Sequence, residues 1–401
     1  MMRRRAIAAG LVSLVAVPRE SFAEKQYDPG ASDTEIKLGQ TMPYSGPVSA
    51  AATVGQACTA YFDAVNKAGG INGRKVKLVS LDDGYSPPKT VELTRRLIEG
   101  DKVLFIYGSV GTPTNAAIQK FLNSKKIPQL FVTTGGSRFN NPKEYPWTIP
   151  VLPSYFAEGK ALARFVLETV SAPKIAVLYQ NDDLGKDFTG GFKVGLDSQA
   201  KSLIVSEQSF EITDPTIDSQ VITAKSSGAN VFYFAGTQKF GAMQIRVRYD
   251  LGWKPLHLVC TTASGVDSVL KPAGLEKSEG LVSTSYSKDP FDPTWAQDTE
   301  VQAYVDWVKA NLTATAADTG YISGYISSSL TDYVLKQAGD ELTRANIMQI
   351  ATHLNGLRMP LLLPGITINT TPTNYSMINK FRVQQFKNGR WVPDGKIMSG
   401  E

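Results

Sequence analysis

Short apolar runs recur at residues 36–41, 76–81, 103–107 and 129–133, and each ends in a polar or glycine-rich loop. Amphipathic stretches follow the first three, over about 54–68, 87–99 and 112–123, the middle one opening on Ser86 as cap and Pro87 at the first helical position. A strand followed each time by a helix meets its neighbour in parallel, through a crossover, so the helices must cover both faces of a parallel sheet. The rhythm then starts again, with strand-like runs at 175–179, 203–210, 231–235 and 256–261 and helical stretches near 186–198, 216–226 and 241–251. The expected fold is therefore α/β, two doubly wound parallel-sheet lobes joined near residues 151–154. In such sheets ligands collect beyond the carboxyl ends of the strands, so the loops of both lobes should face one cleft.

Past residue 288 the alternation gives way to helices at 299–311 and 323–337, and the chain closes on KFRVQQFKNGRWVPDG, a hairpin with Asn388 and Gly389 at its turn. The expected division is 34–153 plus 288–368 for the first lobe and 154–287 plus 369–401 for the second. A chain that returns to both lobes crosses between them more than once, which makes a multi-strand hinge and favours closure over independent tumbling.

Two cores need a long chain, and 401 residues at 42% hydrophobic content suffice for both. The chain opens with a basic stretch ending at Arg5, an apolar run over 6–17 and a small-x-small site, Ser21-Phe22-Ala23, so residues 1–23 are expected to be a signal peptide and the mature protein to be periplasmic. Arg3, Arg4 and Arg5 suit a general export signal or the twin-arginine route. No later run reaches the roughly 18–20 apolar residues of a membrane span. The net charge of +5 includes +3 from the leader, and the remaining +2 gives no footing for nucleic acid. Cys58 falls at helical spacing with Val54, Tyr61 and Val65 and reads as a buried free thiol, a disulfide to Cys260 being the alternative.

Residues 103–122, VLFIYGSVGTPTNAAIQKFL, carry a glycine loop from a strand into a helix. Such a loop aims backbone N–H groups and the positive end of the helix dipole at an anion. Gly111 is followed by Thr112 and Pro113 rather than by lysine, so the phosphate-loop signature is incomplete. The loop suits an anion without the usual γ-phosphate contact.

An ordered set of segments resembles a known family: SGP at 45–47, AYFDAVNKAGGINGRKVKL at 60–78, GSVGTPTN at 108–115, IAVLYQNDDLGKDF at 175–188 and SGANVFYFAG at 227–236. Together they resemble the leucine/isoleucine/valine-binding family of periplasmic substrate-binding proteins of ABC importers. The resemblance implies a type I periplasmic-binding fold that closes on its ligand. It implies that the hydroxyl of Thr112 and the loop of Thr133, Thr134 and Gly135 hold a ligand carboxylate. It also implies an inner-membrane permease and ATPase as partners of a monomeric, non-enzymatic binding protein with no cofactor. Two departures bear on the ligand. Where amino-acid binders of the family place an acidic partner for the ammonium, this chain has Thr261, in HLVCTTASG, and two aromatic positions are Leu184 and Thr237. An unpaired buried ammonium costs several kcal/mol, so the departures point to a non-amino organic acid, aromatic or branched. A branched-chain amino acid is the alternative if Asp182 or Asp183 supplies the charge, and a ligand-sensing receptor subunit shares the fold.

Other conspicuous residues have plainer readings. Asp82 and Asp83 are adjacent, so they point to opposite faces and organise a turn rather than act as a pair. His257 and Cys260 likewise face apart, and the remaining histidine is His353, so no metal site is expected. Thr112 also fits a helix cap. Tyr321 and Tyr325 share one helix face, with Tyr321 a ligand candidate through the resemblance, while Tyr44, Tyr85 and Tyr155 sit in loops as candidates for a stacking wall. No nucleophile elbow, Ser-His-Asp order or dinucleotide fingerprint stands in a plausible context.

Overall fold

A computed structural model of the chain describes residues 25–313 and 318–400, and the expected signal peptide at 1–23 lies outside the described residues. The two doubly wound lobes expected from the alternation are present. In the first, five parallel strands lie in the order Lys75–Asp82, Glu35–Met42, Phe105–Tyr107, Gln129–Val132 and Thr148–Pro150. In the second, Ile204–Phe210, Ile175–Gln180, Val231–Ala235, Leu256–Val259 and Val282–Ser285 are parallel, and the hairpin Lys380–Lys387 with Arg390–Ser399 extends them antiparallel. The hairpin turns at Asn388 and Gly389, both at positive φ, the conformation that such a two-residue turn requires.

Numbered along the chain, the parallel strands of each lobe read 2-1-3-4-5. The order reverses between strands one and three, which opens a crevice at their carboxyl ends. In the first lobe that crevice is bounded by the loops after Met42 and Tyr107, and in the second by those after Gln180 and Ala235. The fifth strand of each sheet goes beyond the expected set: Thr148–Pro150 is three residues long and Val282–Ser285 alternates with serine and threonine, so neither stands out as an apolar run.

The chain passes between the sheets at residues 151–154, at 286–288 and just after Ile378. Tyr375, Met377 and Ile378 pack in the first core, although 369–401 was expected in the second lobe. Tyr375 fixes this segment, its N–H donating to Asn140 Oδ1 at 2.6 Å and its hydroxyl to the Pro146 carbonyl at 3.1 Å. Cys58 lies in the first core and Cys260 in the second, both free, which removes the disulfide alternative.

One helix that periodicity did not mark, Tyr155–Thr169, packs on Asp183–Gly195 at close backbone range. A Cβ on Gly159 would overlap the Phe188 carbonyl, and one on Gly191 would overlap that of Phe156. The approach stacks Tyr155 on Phe188 with centroids 4.2 Å apart and fixes the turn that follows Tyr155. Gly159→Ala should therefore cost about 1–3 kcal/mol by overpacking. A lower urea midpoint with an unchanged slope is the expected result; an unchanged midpoint would mean that the helices separate freely.

Candidate functional site

The loops at the carboxyl ends of both sheets enclose a cavity of about 150 Å³ between the lobes. On the first-lobe side, Gly111 caps the helix Thr112–Ser124 at φ +116°, and a side chain there would run into Thr114 and the Tyr85 ring. The helix therefore presents its N-terminus to the cavity. Thr112 is the first helical residue rather than the cap, and its hydroxyl lies 2.8 Å from Thr134 Oγ1. Thr134 Oγ1 in turn accepts the Gly136 N–H at 3.1 Å. Either hydroxyl can be the donor of this pair; the N–H on Thr134 favours donation from Thr134, which would leave the Thr112 proton for an acceptor in the cavity. Thr133 also lines the wall and donates to the Gly108 carbonyl at 3.0 Å.

Thr134 and Gly135 stand behind this wall rather than in it. The Gly135 carbonyl accepts the Tyr155 N–H at 2.9 Å, tying the loop to the first crossing. From the second lobe, Tyr155, Leu184, Thr237 and Thr261 reach the cavity. Thr237 donates to Gln180 Oε1 at 2.8 Å. Six of the nine expected contacts thus meet in one place, and Tyr85, at φ +61°, joins them. Tyr321 does not line the cavity. Its hydroxyl donates to Gln56 Oε1 at 2.9 Å, while Tyr325 belongs to an aromatic cluster with Tyr61, Tyr304 and Trp307, and Tyr44 bonds Ser80. Asp82 and Asp83 hold a turn, accepting from Gly84 and Tyr85 N–H respectively, and His257 stacks in the second core on Phe232.

The charge supplied to this cavity differs from the expectation. Asp182 caps the helix Asp183–Gly195 through the N–H groups of Leu184 and Gly185, and Asp183 pairs with Arg138 at 2.8 Å on the exposed rim. Neither lines the cavity. The carboxyl nearest Thr261 is Glu158, 1% exposed, which accepts the Thr261 N–H at 2.8 Å and its hydroxyl at 2.7 Å. Burial pushes this carboxyl up to about 7, against the pull of the Thr261 hydrogen bonds. Its signal was present in the sequence, because Glu158 follows Tyr155 by three positions and precedes Leu162 by four, on the apolar face of a helix. Asp289 and Asp318 also line the cavity, each raised by burial, and Asp318 accepts from Gly320 N–H and the Thr53 hydroxyl. Lys288, 4% exposed, is held by Asp298 and Glu300 at 2.7 Å each.

Residues 35–390 match the periplasmic binding protein family. The chain belongs to that family. Among curated proteins, this periplasmic binding protein is 27% identical to a Leu/Ile/Val-binding protein homologue of Brucella melitensis, over 57% of this chain and 61% of that one, so the match covers less than two thirds of the relative. In fold it is similar to a branched-chain amino acid ABC transporter protein of Thermus thermophilus with bound valine, TM-score 0.81 at 16% identity over 92% and 97% of the two chains. It is similar also to a fatty acid ABC transporter substrate-binding protein of Thermomonospora curvata, TM-score 0.75 at 20% identity over 94% and 95%. Among the described residues no helix is long and apolar enough to cross a membrane.

The buried Glu158 makes stability depend on pH with a definite sign. Its folded value is raised above the ordinary 4.5, so the folded protein keeps a proton that the unfolded chain releases. That contribution is complete below about 4.5 and lost as pH rises through about 7. Up to about 3 kcal/mol is at stake, because each tenfold gain in proton affinity on folding is worth about 1.4 kcal/mol. In urea titrations across this window, Glu158→Gln should remove that component of the fall, and parallel curves for the two proteins would place the carboxyl in a wetter site.

Proposed function

We propose that this periplasmic binding protein captures a small carboxylate-bearing ligand between its lobes and delivers it, as a periplasmic monomer, to the permease and ATPase of an ABC importer. One observation carries the reading: the open N-terminus of the helix Thr112–Ser124, flanked by the Thr112 and Thr133 side chains, faces a cavity whose opposite wall comes from the other lobe. The positive end of the helix dipole and the Thr112 hydroxyl suit a carboxylate, although Pro113 adds no N–H and the Gly111 N–H is taken by the Thr133 carbonyl. About 150 Å³ is the volume that holds one benzene-sized group. Val54, Val110, Leu184, Val266 and Ile322 give the ligand body an apolar surround. Burying one ring of about 150–250 Å² at ~25 cal/mol/Å² contributes about 4–6 kcal/mol, enough with the carboxylate bonds to reach micromolar affinity after ordering costs.

A non-amino organic acid is the first reading, since a hydroxyl stands at position 261 and small or aliphatic residues at 184 and 237. An α-amino acid is the second, favoured by Glu158 behind Thr261, by Asp318 in the wall and by the names of the curated relatives. A thermal-shift screen separates them, because a ligand at 100 times its Kd adds about 2.7 kcal/mol. Benzoate-type and branched aliphatic acids should raise the melting point; a shift with leucine or valine and none with the deaminated acids would select the second reading. Thr112→Val should weaken any carboxylate by roughly 1–3 kcal/mol in calorimetry while melting stays near wild type. Unchanged affinity would move the carboxylate elsewhere in the cavity.

A further inference from the structure

The pairing of Glu158 with Thr261 has a directional consequence. Glu158 Oε1 receives the Thr261 N–H at 2.8 Å, and an N–H can only donate, so this oxygen is an acceptor whatever the charge of the carboxyl. The carbonyl oxygen of a neutral carboxyl is the better acceptor, so a proton is favoured on Oε2, which lies 2.7 Å from Thr261 Oγ1, with the Thr284 hydroxyl a further neutral partner of the group. When Glu158 is ionised, the Thr261 hydroxyl must give its proton to Oε2, and its oxygen turns only lone pairs to the cavity. When Glu158 is protonated, Oε2 donates to Oγ1 and the hydroxyl proton is released toward the cavity that Thr261 lines. We propose that Glu158 is a positioning residue that sets the hydrogen-bonding polarity of Thr261, so that this wall accepts a hydrogen bond from the ligand at alkaline pH and donates one at acidic pH.

The surroundings leave the exchange to Glu158. The titratable groups that act on it are Cys260, at the end of the neighbouring strand, Tyr233 from Val231–Ala235, and Tyr286 from the second crossing, with Tyr155 on its own helix. Burial holds the Cys260 thiol up to about 12 and raises all three tyrosines, so all four stay neutral while Glu158 titrates near 7. None of them is cationic. At neutral and alkaline pH the ligand selected at this wall therefore presents an O–H or N–H, as a 2-hydroxy or 2-amino acid does, whereas a 2-oxo acid offers only an acceptor.

The proposal rests on the carboxylate reading above, and matched acids test it. Mandelate with phenylglyoxylate, and 2-hydroxy-4-methylpentanoate with 4-methyl-2-oxopentanoate, differ only in donor against acceptor beside the carboxylate. In calorimetry the wild-type preference for the hydroxy over the oxo member should rise roughly tenfold between about pH 5.5 and 8.5, the scale of one exchanged hydrogen bond. In Glu158→Gln the amide oxygen accepts the Thr261 N–H and the amide nitrogen donates to Oγ1, so the variant should keep the acidic preference at both pH values. Thr261→Val, which has no hydroxyl to turn, should show one ratio at both and keeps the test decisive if the glutamine variant fails to fold. A Glu158 that merely braced the loop would weaken both members equally without moving the ratio. A wild-type ratio independent of pH, or a glutamine variant that follows the wild-type profile, overturns the polarity role alone. Binding of no member of either pair by the wild type overturns the carboxylate reading and this proposal with it.

Discussion

Because a parallel strand can rejoin its sheet only by a crossover over the sheet's face, every parallel strand in each lobe ends in a loop at the same edge. The 2-1-3-4-5 order then splits that edge between strands one and three, and the split is where a small molecule meets the most backbone and the least side-chain crowding. Two such edges, brought together by three crossings, leave a cavity whose wall alternates between lobes. Thr112 and Thr133 come from one, Leu184, Thr237 and Thr261 from the other. Under the proposed function, a ligand touching both walls would favour the arrangement in which it makes both sets of contacts.

Buried charge near the cavity is managed in two different ways. Lys288 sits at the second crossing with its Nζ between Asp298 and Glu300, so it brings no uncompensated positive charge to the wall it lines. Removing either acid alone leaves the other against the ammonium, and only the loss of both would strand it. Among the described residues Glu158 has no cation against it; it is held by the N–H and hydroxyl of Thr261, with the Thr284 hydroxyl beside it. That arrangement tolerates the neutral and the charged carboxyl alike, at the cost of a raised proton affinity. The first device fixes a crossing, and the second leaves a group free to change state.

The fold was legible because strand-then-helix alternation is a local pattern repeated many times, and each repeat constrains the next. The elements that were missed are those whose stability comes from partners distant in sequence. Val282–Ser285 becomes a strand because it lies between Leu256–Val259 and the returning Lys380–Lys387, and Tyr375 draws residues 369–378 to the first lobe through Asn140 and Pro146. Thr112, Thr133, Leu184, Thr237 and Thr261, which the resemblance singled out, line the cavity because all follow strand ends, where the topology turns loops to the cleft. Glu158 follows a crossing and starts a helix, so no strand-end rule finds it. A carboxylate on an apolar helix face was the available cue, and it needed the helix Tyr155–Thr169 to be recognised first. Asp289 lies just past the second crossing and Asp318 caps the helix Thr319–Ala338, positions that no strand-end rule marks as cavity residues.

A hydroxyl differs from a charged side chain in that it carries no fixed hydrogen-bonding sign. Its direction is imposed by whatever occupies its other side, and the two threonines on opposite walls of this cavity have opposite backing. Behind Thr112 a backbone N–H acts through Thr134, which favours donation into the cavity, while behind Thr261 a carboxyl favours acceptance when ionised. The two are identical as letters in the sequence, and they become different functional groups only through residues 22 and 103 positions away. A carboxyl in the wall itself, as Asp289 and Asp318 are, faces an anionic ligand with its full charge whenever it is ionised. Set one residue back, Glu158 acts through a hydrogen bond that weakens and reverses when it is protonated, so the wall at Thr261 can discriminate by donor and acceptor pattern without turning the Glu158 charge itself to the ligand.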